Sequence, residues 1–276
     1  MKRILILALL AVAFAPFCAR ADEPTDSKLP GVAADWFGYE MRQFKFADRD
    51  AKLVAPKEYA PGKPWIWRAR FFGHEPQFDV AMLERGYAVA WIDSAPLMGS
   101  PQSVALWQKF YRYMVDELGF APKANMEGMS RGGLYIMEWA FAYPDEVAAI
   151  YLDNPVLDFN SWPGGYGSGK RSDKDWQDVL TSWELTEEEA RNSTAVPVKN
   201  VEGCKALAKR GVPILLICGD ADSVVPGAEN WKPFKELYES VGGRTELILK
   251  PGADHHPHSL KDPRPIVDFV LKANER

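Results

Sequence analysis

Six residues near the middle of the chain, Gly128-Met129-Ser130-Arg131-Gly132-Gly133, constrain the fold more than any other stretch. An apolar-leaning run from Ala124 climbs into them. A helical pattern follows at once, with Leu134, Ile136, Met137, Trp139 and Ala140 among its first residues. A strand that turns this abruptly into a helix brings the two backbones together, so the positions two before and two after the apex must lack a side chain. Gly128 and Gly132 occupy those positions. Ser130 at the apex is expected in a strained conformation, its hydroxyl pushed out where the strands end. Gly-x-Ser-x-Gly alone also describes a glycine-rich helix start, and the surrounding chain decides between the two.

Upstream, Tyr39 to Phe46 and Ala51 to Ala55 read as an antiparallel hairpin across Asp48-Arg49-Asp50. After the turn Pro61-Gly62-Lys63-Pro64 comes a strand from Trp65 to Phe72 and a helix from Gln77 to Arg85. The chain then alternates. Strands are predicted over Tyr87 to Ile92, into the Gly-x-Ser-x-Gly turn, and over Val147 to Leu152, Val212 to Cys218 and Thr245 to Leu249. Helices are predicted over Pro101 to Leu118, from the turn to Tyr143, and over Glu229 to Val241 and Pro265 to Ala273. Strands separated by helices imply an α/β architecture, a mostly parallel sheet with helices on both faces. One stretch breaks the rhythm. From about 155 to 198 no strand–helix unit is visible, but Trp162, Tyr166, Trp176 and Trp183 stand among four glycines. A long irregular insertion beside the turn reads as a lid or substrate platform, with Trp162 and Trp183 as substrate contacts. The alternative is an excursion whose tryptophans fill only their own small core.

The N-terminal segment has the pattern of a secretory signal peptide: Lys2 and Arg3, an apolar run from Ile4 to Phe14, and Ala19-Arg20-Ala21 before a cut at Asp22. The run is too short to span a bilayer. The expected organisation is therefore a signal peptide over 1–21 and a single domain over 22–276, working in the periplasm or outside the cell and not held by the membrane after cleavage. Cys204 and Cys218 would remain, either paired or free. A net charge of −5 without a basic stripe argues against nucleic acid as a partner.

The glycine-flanked serine resembles the nucleophile elbow of the α/β-hydrolase superfamily, and an antiparallel start before parallel units is how that fold begins. The resemblance implies a catalytic order of serine, acid and histidine on loops after strands. A serine hydroxyl is a poor nucleophile until a base takes its proton, and the base needs a third group to fix its tautomer. The loop Gly219 to Pro226, after an apolar strand, resembles the superfamily's acid loop and offers Asp222. Asp153, closing the strand before it, is the rival. Three of the four histidines follow the last strand, in Asp254-His255-His256-Pro257-His258. By position His255 matches the base, with His256 and His258 in reserve because Asp254 stands where a glycine is common. Oxyanion donors are expected from the Arg131 amide and from Gly73 or His74 in the loop after the third strand. No cofactor and no metal site is expected, although clustered imidazoles would suit zinc.

Charges in the central strands bear on the substrate. Arg68 and Arg70 lie in the third strand and Glu127 in the elbow strand, so one ion pair is expected and one guanidinium is left over. Ser130-Arg131-Gly132-Gly133 also resembles the elbow of glucuronoyl esterases, whose arginine assists the oxyanion. Arg70 is accordingly expected to bind substrate, and an anionic or uronate-type group to be favoured. The whole pattern resembles secreted bacterial esterases and prolyl-oligopeptidase-like hydrolases of polysaccharide breakdown. It implies hydrolysis of a carboxylic ester through an acyl-enzyme, on a small-molecule or polysaccharide-linked substrate. A serine peptidase with the same triad and a catalytically silent binding protein on this fold are the alternatives.

Overall fold

A computed structural model describes residues 29–275. The signal-peptide pattern lies outside the described residues. Nine strands form one sheet in the order β1-β2-β3-β5-β4-β6-β7-β8-β9. β1 (Val32–Trp36), β2 (Tyr39–Phe46) and β3 (Arg49–Ala55) form an antiparallel meander that pairs with β5 (Ala88–Ile92). From β4 (Trp65–Ala69) onward the strands β6 (Ala124–Met129), β7 (Val147–Asp153), β8 (Pro213–Gly219) and β9 (Arg244–Lys250) run parallel. This is the α/β-hydrolase fold. β1 was not anticipated, because Asp35 and the Phe37-Gly38 turn hide a short edge strand that has only a rough alternation.

Helices cover both faces. α1 (Gln77–Leu83) and α8 (Arg264–Asn274) pack on one side, where Ile66, Phe78, Val89, Tyr151, Ile217, Ile266 and Val267 are buried together. On the other lie α2 (Pro101–Arg112) and α3 (Gly132–Ala142), then α6 (Val201–Lys209) and α7 (Trp231–Ser240), which follow the two helices described below. At the centre of that face Trp67 stacks on Trp107 with ring centroids 4.5 Å apart and meets Trp139 edge-on at 5.0 Å. Such pairs add about 0.5–1.5 kcal/mol beyond the area they bury. No helix among the described residues is long and apolar enough to cross a membrane. Cys204 and Cys218 are both free and buried.

The segment between β7 and α6 is not irregular throughout. It contains α4 (Asp173–Trp183) and α5 (Glu187–Arg191), the first capped by Ser172 and the second by a Thr186–Glu189 capping box. Trp162, Trp176, Phe159 and Val179 pack with Met98, Leu134 and Val225 in a third cluster. Most of the aromatic content thus fills the segment's own core, as the less specific of the two expectations had it.

β4 ends three residues earlier than the sequence predicts. Arg70 (φ 61°) and Phe71 (φ 38°) both turn into the left-handed region and end the strand. Beneath this turn the Arg68 guanidinium is fully buried on the α1 side of the sheet. It contacts Asp79 of α1 and Glu127 of β6, the latter at 3.0 Å, and donates to the carbonyls of Phe71 and His74. Arg68 and Glu127 are direct register partners, so the expected pair forms. Burial, outweighing the pull of Arg68, holds Glu127 well above the ordinary carboxylate range. Burial thus biases Glu127 toward its neutral form beside Arg68. Arg68→Met would leave Asp79 without its counter-ion and the loop carbonyls without their donor. Removing one partner of a buried pair costs about 3–5 kcal/mol. Urea unfolding is expected to show a loss of that size; an unchanged midpoint would contradict this account of the loop.

Candidate active site

Ser130 sits between β6 and α3 with φ 50°, and its amide donates to the Asp153 carbonyl at 2.9 Å. The flanking glycines are there because the backbones touch. A Cβ on Gly128 would lie 2.6 Å from Ile136 and 3.1 Å from the Gly132 carbonyl, and one on Gly132 would lie 3.0 Å from the Ala69 carbonyl oxygen. The left-handed serine at this turn costs of order 1–3 kcal/mol, which only an over-determined surrounding sustains.

Three loops at the C-terminal ends of parallel strands bring the other groups in. Ser130 Oγ lies 3.0 Å from His255 Nε2, and His255 Nδ1 lies 2.8 Å from Asp222 Oδ2. All three residues are at least nine-tenths buried. The second carboxylate oxygen of Asp222 accepts from the amides of Val224 and Val225 at 2.9 and 2.8 Å, which fixes its plane. Asp254, the departure from the common glycine, has a structural use. Its carboxylate accepts from the Ser223 amide at 2.7 Å and the His255 amide at 2.8 Å, tying the histidine loop to the acid loop. Asp220 does the same through the Gly252 amide at 2.6 Å. Asn154 completes the link by donating to the His255 carbonyl at 2.9 Å and accepting from the Gly219 amide at 2.7 Å.

Asp153 is not the partner of His255. It is buried against His258, whose Nδ1 lies 2.8 Å away, and it accepts from the Ser259 amide and the Tyr151 hydroxyl. Burial, against the pull of Asp153, holds His258 below the ordinary histidine value. Burial and then the neighbouring imidazoles of His258, His255 and His74 do the same for His256.

Ser130 opens into a cavity of about 400 Å³ lined by Phe71, Phe72 and His74, Arg131 and Trp162, Val224, and His255, His256 and His258. Of the expected oxyanion donors, Arg131 caps α3 directly after the serine, and its amide has no acceptor among the described residues. The loop donor is misplaced in the sequence reading. The His74 amide is already committed to the Phe71 carbonyl at 3.0 Å. Gly73 lies outside the cavity lining, and a side chain there would face Trp36. Phe71 and Phe72 are the loop residues that reach the cavity with amides that have no acceptor among the described residues, because the strand stops three residues short and shifts the turn.

Two expected substrate contacts are corrected. Arg70 is turned away and pairs with Asp93 at 2.9 Å. Trp183 donates its indole N–H to the Met98 carbonyl at 3.0 Å and borders a separate depression beside Glu138. Trp162 does line the cavity, with the Arg131 guanidinium 5.1 Å from its ring centre. Arg131 is itself paired with Asp175. The surplus of positive charge inferred from sequence is thus absent: Arg68 faces Asp79 and Glu127, Arg70 faces Asp93, and Arg131 faces Asp175. Asp79, Asp175 and Asn154 were missed because nothing in linear order ties them to residues 11 to 101 positions away. Only Asn154, a second polar residue ending a buried strand, left a readable signal.

Comparison with known proteins bears on the family and the fold. The sequence model of the prolyl oligopeptidase family matches residues 107–274, more than half of the chain. No curated protein sequence matches. Among solved structures, the chain is similar to a Mycobacterium tuberculosis puromycin-hydrolyzing peptidase, with a TM-score of 0.64 and 16% identity over 88% of this chain and 39% of that one. It is similar to a Pyrococcus horikoshii acylaminoacyl peptidase, with a TM-score of 0.58 and 17% identity over 86% of this chain and 41% of that one. A bacterial membrane phospholipase A shares the fold at a TM-score of 0.50 and 17% identity over 87% of each chain. The chain thus spans about two fifths of the length of those two peptidases. At these identities the structural likeness speaks for the fold, and the family match carries the assignment: the chain belongs to the prolyl oligopeptidase family.

Proposed function

We propose that the chain hydrolyses small acyl compounds, amides or short peptides before esters, through an acyl-enzyme on Ser130. The observation that carries this reading is the unbroken relay from Ser130 Oγ through His255 to Asp222, at 3.0 and 2.8 Å. His255 takes the hydroxyl proton as Oγ attacks the carbonyl carbon, then delivers it to the leaving amine or alcohol. Asp222 keeps Nδ1 protonated and stabilises the imidazolium. The amides of Arg131 and Phe71 meet the developing oxyanion. Water then repeats the attack on the acyl-enzyme with His255 again as base, restoring Ser130.

Membership of a peptidase family, with peptidases among the structural neighbours, supports an amide substrate. The cavity narrows it. Among the described residues lining the cavity there is no carboxylate to hold a free α-ammonium group. The walls of Phe71, Phe72, Trp162 and Val224 suit a neutral or blocked acyl part. A carbohydrate ester is the second reading, favoured by the Trp162 ring on the cavity wall, against which a sugar face would stack. An extracytoplasmic site of action is proposed with either, from the leader pattern of Lys2, Arg3 and the apolar run behind them.

Ser130→Ala is expected to lower turnover by several orders of magnitude with the fold retained. Asp222→Asn should lower kcat by about 10⁴-fold, because the amide leaves His255 in the wrong tautomer. Asp153→Asn should lower thermal stability and leave kcat far closer to wild type; equal kcat losses in the two variants would reverse the assignment of the acid. Substrate choice is read by comparing N-blocked and free aminoacyl anilides with acetyl, feruloyl and methyl-uronate sugar esters. Blocked anilides should be cleaved fastest. Turnover confined to sugar esters would replace the amide reading with the second one.

A further inference from the structure

All four histidines of the chain open onto the one cavity that holds Ser130. Ring nitrogens of His255, His256 and His258 lie within 4.8 Å of one another. Their ring centroids are 4.7 to 5.0 Å apart, with planes 78° to 82° to each other, so the rings converge edge to face and do not stack. His74, about 180 positions earlier in the chain, faces them across the cavity, 5.9 Å from His258 and 6.1 Å from His256.

Two of the three clustered rings are already oriented as ligands. His258 Nδ1 is bonded to Asp153 and His255 Nδ1 to Asp222, each at 2.8 Å. A carboxylate behind one ring nitrogen fixes the tautomer and leaves the Nε2 lone pair for an ion, the arrangement that orients metal-binding imidazoles. Asp153 is itself held in place by the Ser259 amide, the Tyr151 hydroxyl and the Lys250 ammonium on the same carboxylate. His256 is exposed at the cavity mouth, which provides both an entry path and the freedom to close. With zinc–nitrogen bonds of about 2.0–2.1 Å, the donors must draw in by roughly an ångström, within reach of side-chain rotation at His256.

We infer that His255, His256 and His258, with His74 as the fourth donor across the cavity, form a binding site for a zinc-type divalent ion whose occupancy inhibits the hydrolase. The ion takes Nε2 of His255, the atom 3.0 Å from Ser130 Oγ. An imidazole bound to a metal there has no lone pair for the serine proton. The inhibitory half rests on the proposed role of His255; binding of the ion does not depend on it.

The test therefore has two readouts. Zinc binding is measured by titration calorimetry on the Ser130→Ala chain, with cobalt(II) absorption reporting a four-coordinate site. Inhibition by zinc, and its reversal by a chelator, is measured on wild type. One ion per chain is expected to bind Ser130→Ala, and His256→Asn to weaken zinc binding and inhibition together by about ten-fold or more. His74→Asn should weaken both to a smaller degree. Absence of saturable zinc binding, or an unchanged affinity in His256→Asn, would overturn the site. Binding at full strength without inhibition of wild type would overturn its inhibitory role. Should Ser130→Ala keep its activity while binding zinc normally, the nucleophile assignment would fail and the metal site would stand.

Discussion

One buried guanidinium sets the shape of the catalytic end of this sheet. Arg68 lies between Asp79 of α1 and Glu127 of the elbow strand and holds the carbonyls of the loop that follows its own strand. An isolated cation in this position would be prohibitively costly, and two carboxylates would overcompensate it. Burial raises the Glu127 carboxyl above its ordinary range and so eases the excess, and hydrogen bonds from Arg68 to the loop carbonyls complete the cluster. The result is a rigid anchor under Arg70 and Phe71, two residues in a conformation that side chains resist. Through that anchor Phe71 is presented to the cavity beside Ser130.

The opposite wall is held by a different device. His255 is 125 positions from Ser130 and 33 from Asp222, so its place cannot be set locally. Asp220, Asp254 and Asn154 tie the ends of β7, β8 and β9 into one unit, each using a side-chain oxygen to accept a backbone amide. The site thereby forms outside the carboxyl ends of parallel strands, where an open α/β sheet offers a crevice. The same unit crowds three imidazoles together, and Asp153, which contacts His258 where Asp222 contacts His255, serves as the carboxylate behind one of them.

Much of this was legible in the sequence, for physical reasons that differ from residue to residue. The elbow could be read because glycine at 128 and 132 is a steric requirement local to the chain. The parallel strands could be read because a strand buried on both faces is a continuous apolar run, as in Val212 to Cys218. The order of Ser130, Asp222 and His255 came from the superfamily resemblance, and the structure brings those three side chains together. What failed were statements about side-chain direction and partner. Sequence pattern assigns Arg70 to a strand, but left-handed residues end that strand and turn it toward Asp93. Trp183 and Trp162 looked equivalent, yet only tertiary packing places one in the cavity and the other beside Met98. His74 carried no signal of its proximity to the histidine loop, because contacts across 180 positions leave no periodicity.

The central claim is that Ser130, activated by His255, is the nucleophile of this hydrolase. It is tested most directly by exposing the intact chain to a fluorophosphonate and locating the adduct by peptide mass spectrometry. The account predicts one phosphonate per chain on Ser130, with labelling slowed by orders of magnitude in His255→Ala. An adduct on another serine, or labelling of Ser130 at an undiminished rate without His255, would contradict it.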